Sequence, residues 1–163
     1  MGRADAKSGS DEAPATLSLW ENLSKEQLQG IQAWDERRLQ VELDRLPPKA
    51  RARMNEPMCS IRNMLTDWER LVRRMEAQWM PSGTYPISAY PNALETRDLL
   101  EDAVESISVE AKEAVRPLLE SLDAIFYAHT VPDEEGELRP WVRPPSEGNA
   151  RGWWRRKPRV SPW

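Results

Sequence analysis

The sequence predicts an all-α fold: an irregular bundle of four to five helices with a disordered N-terminus and a Pro/Arg/Trp-rich C-terminal tail. Three observations lead there. Met58 to Trp79 repeats apolar residues at helical spacing. Ser24 and Ser108 each open a further apolar-periodic run with a capping pattern. After Thr130 the periodicity stops and prolines take over. The helical domain is expected over residues 16–130, its bundle from about Leu17 to Thr130, between an unstructured segment 1–15 and a tail 131–163.

The first fifteen residues are small and polar and bury too little apolar surface to offset their ordering entropy. A first helix is expected from Ser24, whose hydroxyl and the Gln27 amide can satisfy backbone N–H groups reciprocally. Leu28, Ile31, Trp34, Leu39, Leu43 and Leu46 follow. Gly30 weakens this helix, and Leu39-Val41-Leu43 alternates as a strand would. Pro47 and Pro48 end it, and Pro48 to Met54 suits a short helix with proline in its first turn.

Asn55 is expected to cap the next helix, with Pro57 in the first turn. At 100° per residue, Met58, Ile61, Leu65, Trp68, Val72, Met75 and Trp79 fall within an arc of ~100°, the width of a core-facing stripe. Residues 80–91 contain Pro81, Gly83, Pro86 and Pro91 and read as a loop in which Tyr85 and Tyr90 can pack or hydrogen-bond. Another helix follows, opened by Thr96 or by Pro91-Asn92, with Leu99, Leu100, Ala103, Val104 and Ile107 on one side. Ser108 caps the last, which carries Ala111, Ala114, Val115, Leu118, Leu119, Leu122, Ile125 and Phe126. Pro117 must kink that run or divide it.

A length of 163 residues fits one domain, and 39% hydrophobic against 31% charged residues allows a modest core. Mean hydropathy is −0.74, and no apolar run approaches the ~20 residues of a spanning helix. No apolar signal segment opens the chain. A single cysteine, Cys59, precludes an internal disulfide and points to a reducing, cytoplasmic setting. Charge is unevenly distributed: nine acidic and three basic residues lie between Glu95 and Asp123, seven basic and one acidic between Arg139 and Arg159.

Catalytic residue types are sparse. His129, the only histidine, lies near a helix C-terminus on the face of Leu118 and Leu122, where a cation meets the negative end of the helix dipole. Asp98, Glu101, Asp102 and Glu105 cluster on one helix, and Glu110/Glu113 and Glu120/Asp123 pair on the next. Glu113, Glu120 and Asp123 are expected to project toward solvent, so a solvated acidic face is favoured over a metal site. Cys59 is placed in the first turns of its helix with Arg62 one turn on, an environment that favours thiolate. Arg70, Arg73 and Arg74, interrupted by Asp67, Glu69 and Glu76, read as an ion-paired surface. Neither a phosphate loop nor a cofactor motif is present, so no cofactor is expected.

The tail offers the richest binding chemistry. Arg139, Trp141, Arg143, Arg151, Trp153, Trp154, Arg155, Arg156, Lys157, Arg159 and Trp163 interleave cations with large aromatic rings. Such a segment can dock on a protein partner or on the chain's own acidic helices, bind nucleic acid by charge and stacking, or meet an anionic membrane interface. It can also be an unstructured, solubilising end.

Tyr90-Pro-Asn-Ala-Leu-Glu-Thr-Arg-Asp-Leu-Leu, Leu122-Asp-Ala-Ile-Phe and Trp153-Trp154-Arg155-Arg156 resemble, as a set, small uncharacterised helical proteins of high-GC actinobacteria. The likeness covers mainly residues 85–156. It implies a cytoplasmic bacterial setting and carries no activity or site residue. A non-catalytic protein–protein interaction or regulatory role is the expectation, with a nucleic-acid-associated protein and a small enzyme built on Cys59, His129 and the acidic clusters as the alternatives. Oligomeric state is left open.

Overall fold

The computed structural model describes residues 14–79, 85–141 and 156–163. Six helices and a two-stranded ribbon follow in the order α1 (Pro14–Asn22), α2 (Lys25–Asp44), α3 (Pro48–Arg51), α4 (Ile61–Glu76), α5 (Ala89–Ser106), α6 (Val109–Ala128), β1 (Thr130–Pro132) and β2 (Arg156–Pro158). The irregular helical bundle is as the sequence predicts. The central α4 packs against α5, α6 and α1, while α2 lies on α6. No helix among the described residues is long and apolar enough to cross a membrane.

α1 is an addition, and it begins at Pro14, inside the segment expected to be unstructured. What anchors it is remote in sequence. Glu69 on α4, fully buried, accepts hydrogen bonds from the Ala15 N–H (3.0 Å), the Thr16 N–H (2.9 Å) and the Thr16 hydroxyl (2.7 Å). One carboxylate thus satisfies donors that a helix N-terminus leaves orphaned, with its negative charge at the positive end of the dipole. Glu69 is buried rather than on the surface, yet it still pairs with Arg73 (3.7 Å), and Arg70–Asp67 (3.6 Å) and Arg73–Glu76 (2.6 Å) complete the ion-paired face.

α2 opens on the expected capping box, in which the Ser24 N–H donates to Gln27 Oε1 (2.8 Å) and the Gln27 N–H to Ser24 Oγ (3.2 Å). Leu39-Val41-Leu43 is helical. Two i,i+4 pairs, Arg38–Glu42 and Gln40–Asp44, span this stretch and support the helix there. Gly30, costly in isolation, is required by packing. A Cβ there would collide with Ser108 Oγ, which cannot yield because it caps α6 by accepting the Ala111 N–H (3.3 Å).

α4 starts three residues later than Met58. Its cap is Ser60, whose Oγ accepts the Asn63 N–H (3.1 Å), rather than Asn55. The Met58 and Cys59 N–H groups are drawn aside by Glu42 of α2 (2.7 and 3.1 Å), and Met58 is left 73% exposed. At the other end Trp79 is buried, though outside the helix. Gln78 (φ 56°) and Trp79 (φ 58°) take the left-handed conformation, and the Trp79 N–H returns to the Arg74 carbonyl (2.8 Å). That turn swings the indole onto Tyr85, 4.8 Å between rings.

α5 begins at Ala89, before the expected start at Thr96 or Pro91-Asn92, with Pro91 buried in its first turn where no N–H is needed. Pro117 does not divide α6, which runs as one helix through it. The carbonyl it leaves unpaired belongs to exposed Glu113, on the solvent side.

Beyond Thr130 the described chain is folded rather than a loose tail. β1 and β2 pair antiparallel, Thr130 opposite Pro158, Val131 opposite Lys157 and Pro132 opposite Arg156. Leu138 is buried, and Asp133 holds its turn by accepting the Glu137 and Leu138 N–H groups (2.9 and 3.0 Å).

Candidate interaction surfaces

Two of the tail cations, Arg156 and Arg159, turn inward to the end of α6. Arg156 donates to Thr130 Oγ1 (2.9 Å), the Thr130 carbonyl (2.8 Å) and the Tyr127 carbonyl (3.3 Å), with its guanidinium over the Tyr127 ring at 4.9 Å. Arg159 donates through Nε to the Ala128 carbonyl (2.9 Å) and through its backbone N–H to the His129 carbonyl (3.0 Å). Two arginines thus satisfy carbonyls that the helix C-terminus leaves open, at the negative end of its dipole. Lys157 stands among Glu137 (3.2 Å), Glu135 (3.6 Å) and Asp133 (4.0 Å). Trp163 donates to Glu137 Oε1 (2.8 Å) and stacks near Tyr90 (5.9 Å), whose hydroxyl donates to the Arg156 carbonyl (2.8 Å). The Trp163 and Lys157 hydrogen bonds hold the Glu137 carboxyl below its ordinary range.

Part of the basic segment therefore docks on its own chain, though not along the acidic helices. Its partners are the α6 carbonyls and the acids at 133–137, adjacent in sequence to β1. Arg139 and Trp141 are exposed, and Arg143, Arg151, Trp153, Trp154 and Arg155 lie outside the described residues.

The acidic cluster of α5 and α6 is partly a structural network. Buried Arg97 binds Asp123 through both carboxylate oxygens (2.9 and 2.6 Å) and Glu101 (2.8 Å). Arg116 links Glu101 to Glu105, and Lys112 also binds Glu105 (3.0 Å). Against the cost of burial, hydrogen bonds from Arg97 and Arg116 hold Glu101 below its ordinary value. Asp123 does not project to solvent as expected. It lies only ~40° from Leu119 around the helix, and there it accepts the Trp68 indole N–H (3.0 Å). Glu113 and Glu120 are exposed as predicted. Among the described residues no group of three His, Cys, Asp or Glu side chains is placed to hold a metal ion.

Cys59 and His129 stand apart. His129 forms the C-cap of α6. Cys59 precedes α4 instead of lying in its first turns, and its environment is the reverse of the thiolate-favouring one expected. Burial pushes its thiol pKa up, opposed by Arg38 and reinforced by Glu42. No described hydrogen bond or ion pair joins the cysteine, the histidine and the acidic network.

What sequence reasoning missed is an arm built from the second half of α2, α3 and the chain returning to α4. From Gln32 to Ser60 only Pro57 is buried, although Trp34, Leu39, Val41, Leu43, Leu46, Met54 and Met58 all fall in this stretch. The arm is nonetheless braced. Asp35 accepts the Ile61 N–H (2.9 Å), and Glu42, held by Arg38 (2.8 Å), accepts the N–H groups of Met58 and Cys59. Glu42 lies below the ordinary carboxylate range, these hydrogen bonds outweighing its burial. Asp35 is pushed up to about 6 by burial, against the Ile61 hydrogen bond and with Glu56 adding repulsion.

Two hollows flank the point where the returning chain crosses α2 at Glu42. The larger, about 780 Å³, has Trp20, Leu28 and Leu39 as apolar walls and Glu21, Asp35, Glu36 and Glu56 against Arg62 as its charges. The smaller, about 660 Å³, lies at the tip among Leu46, Ala50, Arg53 and Met54, and shares Asn55 and Glu56 with the first. Arg45, Lys49, Arg51 and Arg53 are all exposed around that tip. None forms an ion pair with a described carboxylate, and Arg51 is tied to the Leu46 carbonyl (2.8 Å). The signal available in the sequence was the run from Arg45 to Asn55, four cations without an acid.

Comparison with known proteins adds nothing to this geometry: no family model, curated protein or solved structure matches the chain.

Proposed function

We propose that this chain is a non-catalytic protein that acts by binding other proteins, with the α2–α3 arm as its principal contact surface. The observation that carries this is the contrast on the arm between rigid bracing and missing cover. Asp35 and Glu42 fix its shape through backbone hydrogen bonds, while its apolar side chains remain half-buried or exposed. Exposed Met58 is a flexible, polarizable side chain of the kind that suits a contact surface. An enzymatic role finds less support, because the nucleophile, the imidazole and the acidic network sit in separate surroundings.

The test is a photoreactive residue placed at Met58 of the full chain and, as a control, at exposed Val109, with irradiation in the cell of origin. A discrete adduct with a different protein from position 58, absent from position 109, is expected. Identical adduct patterns from both positions, or none from 58, would overturn the assignment.

A nucleic-acid role draws support from the arm tip rather than the described tail, because Arg156, Lys157 and Arg159 are engaged within the molecule. It requires salt-sensitive binding that disappears when Lys49 and Arg53 are replaced by glutamate.

A further inference from the structure

The arm carries an acidic hollow and a basic tip. Four acids and one base line the hollow beside α1, while the tip exposes Arg45, Lys49, Arg51 and Arg53, the last of which lines the smaller hollow with Glu56. Leu28, Gln32, Asp35 and Leu39 form one stripe of α2 that lines the acidic hollow, and the tip hollow adjoins it through Asn55 and Glu56, which line both. Asp35 and Arg45 are ten residues apart, a separation of ~15 Å along the helix.

We propose that a second copy of this chain occupies this face: the basic tip of one arm seats in the acidic hollow of the other, and reciprocally. A twofold axis makes every such contact twice, which is the commonest closed arrangement for identical subunits. Leu46 and Met54 of each tip then meet Trp20, Leu28 and Leu39 of the opposite hollow, and Arg45, Lys49 and Arg53 face Glu21, Glu36 and Glu56. Charge complementarity selects this occupant. A basic partner would cover the acidic hollow and leave the tip open, and an acidic partner would do the opposite. A second copy covers both at once.

This goes beyond the binding of other proteins proposed above, and either can fail without the other. Self-association is read on the purified full chain alone, while the photocrosslink reports a different protein.

The experiment uses two charge-reversed variants, Lys49→Glu/Arg53→Glu at the tip and Glu21→Lys/Glu36→Lys at the acidic hollow, where Glu21 and Glu36 line that hollow alone. All four positions are exposed, and circular dichroism verifies folding. Sedimentation velocity is run on each from about 1 to about 300 μM protein, since assembly follows mass action. The wild type is expected to dimerise with rising concentration and to dissociate with added salt. Each variant alone opposes like charges in both contacts and is expected to dimerise at least about tenfold more weakly. Mixed one to one, the variants restore both contacts, because the acidic tip meets the basic hollow and the wild-type tip meets the wild-type hollow. Recovery of the dimer in the mixture is the decisive result. A monomeric wild type throughout, a dimer indifferent to either variant, or a mixture no stronger than its components would overturn the proposal. If a double variant fails to fold, Lys49→Glu and Glu36→Lys repeat the test singly.

Discussion

Replacing Glu69 with alanine removes the anchor of α1 and leaves three donors without an acceptor. The side chain is 0% exposed and accepts from two backbone N–H groups and a hydroxyl at 2.7–3.0 Å. Hydrogen bonds to a charged group contribute ~1.5–3 kcal/mol each. The three do not simply add, because all the donors sit on one turn and regain water if that turn lifts away. The loss is therefore limited by the docking energy of α1, and we expect ~3 kcal/mol for Glu69→Ala. At ~2–4 °C per kcal/mol for a chain of this size, the melting temperature falls by ~6–12 °C. Glu69→Gln retains one acceptor oxygen and turns an amide donor toward the others, so an intermediate loss of ~1–2 kcal/mol is expected. Calorimetry supplies the stability, and hydrogen exchange resolves residues 14–22 separately. Glu76→Ala on the same helix removes only an exposed pair with Arg73 and should cost at most ~0.5 kcal/mol. If Glu69→Ala leaves both the melting temperature and the protection of α1 at wild-type levels, the buried carboxylate is not what holds the helix.

Trp68, 1% exposed and stacked 5.0 Å from Phe126, should cost ~3–5 kcal/mol as Trp68→Ala, whereas an unchanged thermal transition would remove α4 from the centre of the core. Asp35→Asn keeps an oxygen for the Ile61 N–H and removes an ionisation that the fold opposes. Burial raises the Asp35 pKa from 3.8 to about 6, so the folded state takes up this proton first. Its contribution to stability is then greatest below the unfolded pKa and is lost as pH rises from about 4 through about 6. Two pH units correspond to ~3 kcal/mol, which solvent around the half-buried group reduces to ~1 kcal/mol. Denaturant titrations should show Asp35→Asn stabilising the chain at pH 7 and flattening the slope between pH 4 and 6, and an unaltered slope would contradict the assignment. Cys59, its thiol pKa raised by burial, should react with an aromatic disulfide at pH 7.5 more slowly than free cysteine. Faster reaction would mean that the positive charge of Arg38 dominates.

The clearest local signals hold in the fold where the partners are close neighbours in the chain. The Ser24–Gln27 capping box and the Ser108 cap depend only on residues three apart, and both form as predicted. The α4 stripe follows from helical periodicity, and six of its seven residues are buried, Met58 excepted. The exception is instructive. Glu42, sixteen residues earlier, takes the Met58 N–H and shifts the helix start to Ile61, and no pattern within α4 could reveal that. Gly30 likewise looks like a weak point in one helix until Ser108 of another is set against it.

Amino-acid order alone determined the helical class, most helix positions and the separation of acidic and basic stretches, because these follow from periodicity, capping and composition. Tertiary structure decided which charges are free. Arg156, Arg159 and Asp123 are absorbed by helix ends and an indole N–H far away in the chain, while Arg45, Lys49 and Arg53 face solvent around a braced hollow. A charge has the same identity in either case. Its role depends on whether folding brings an opposite partner within hydrogen-bonding reach, and that is a property of three-dimensional distance rather than of sequence.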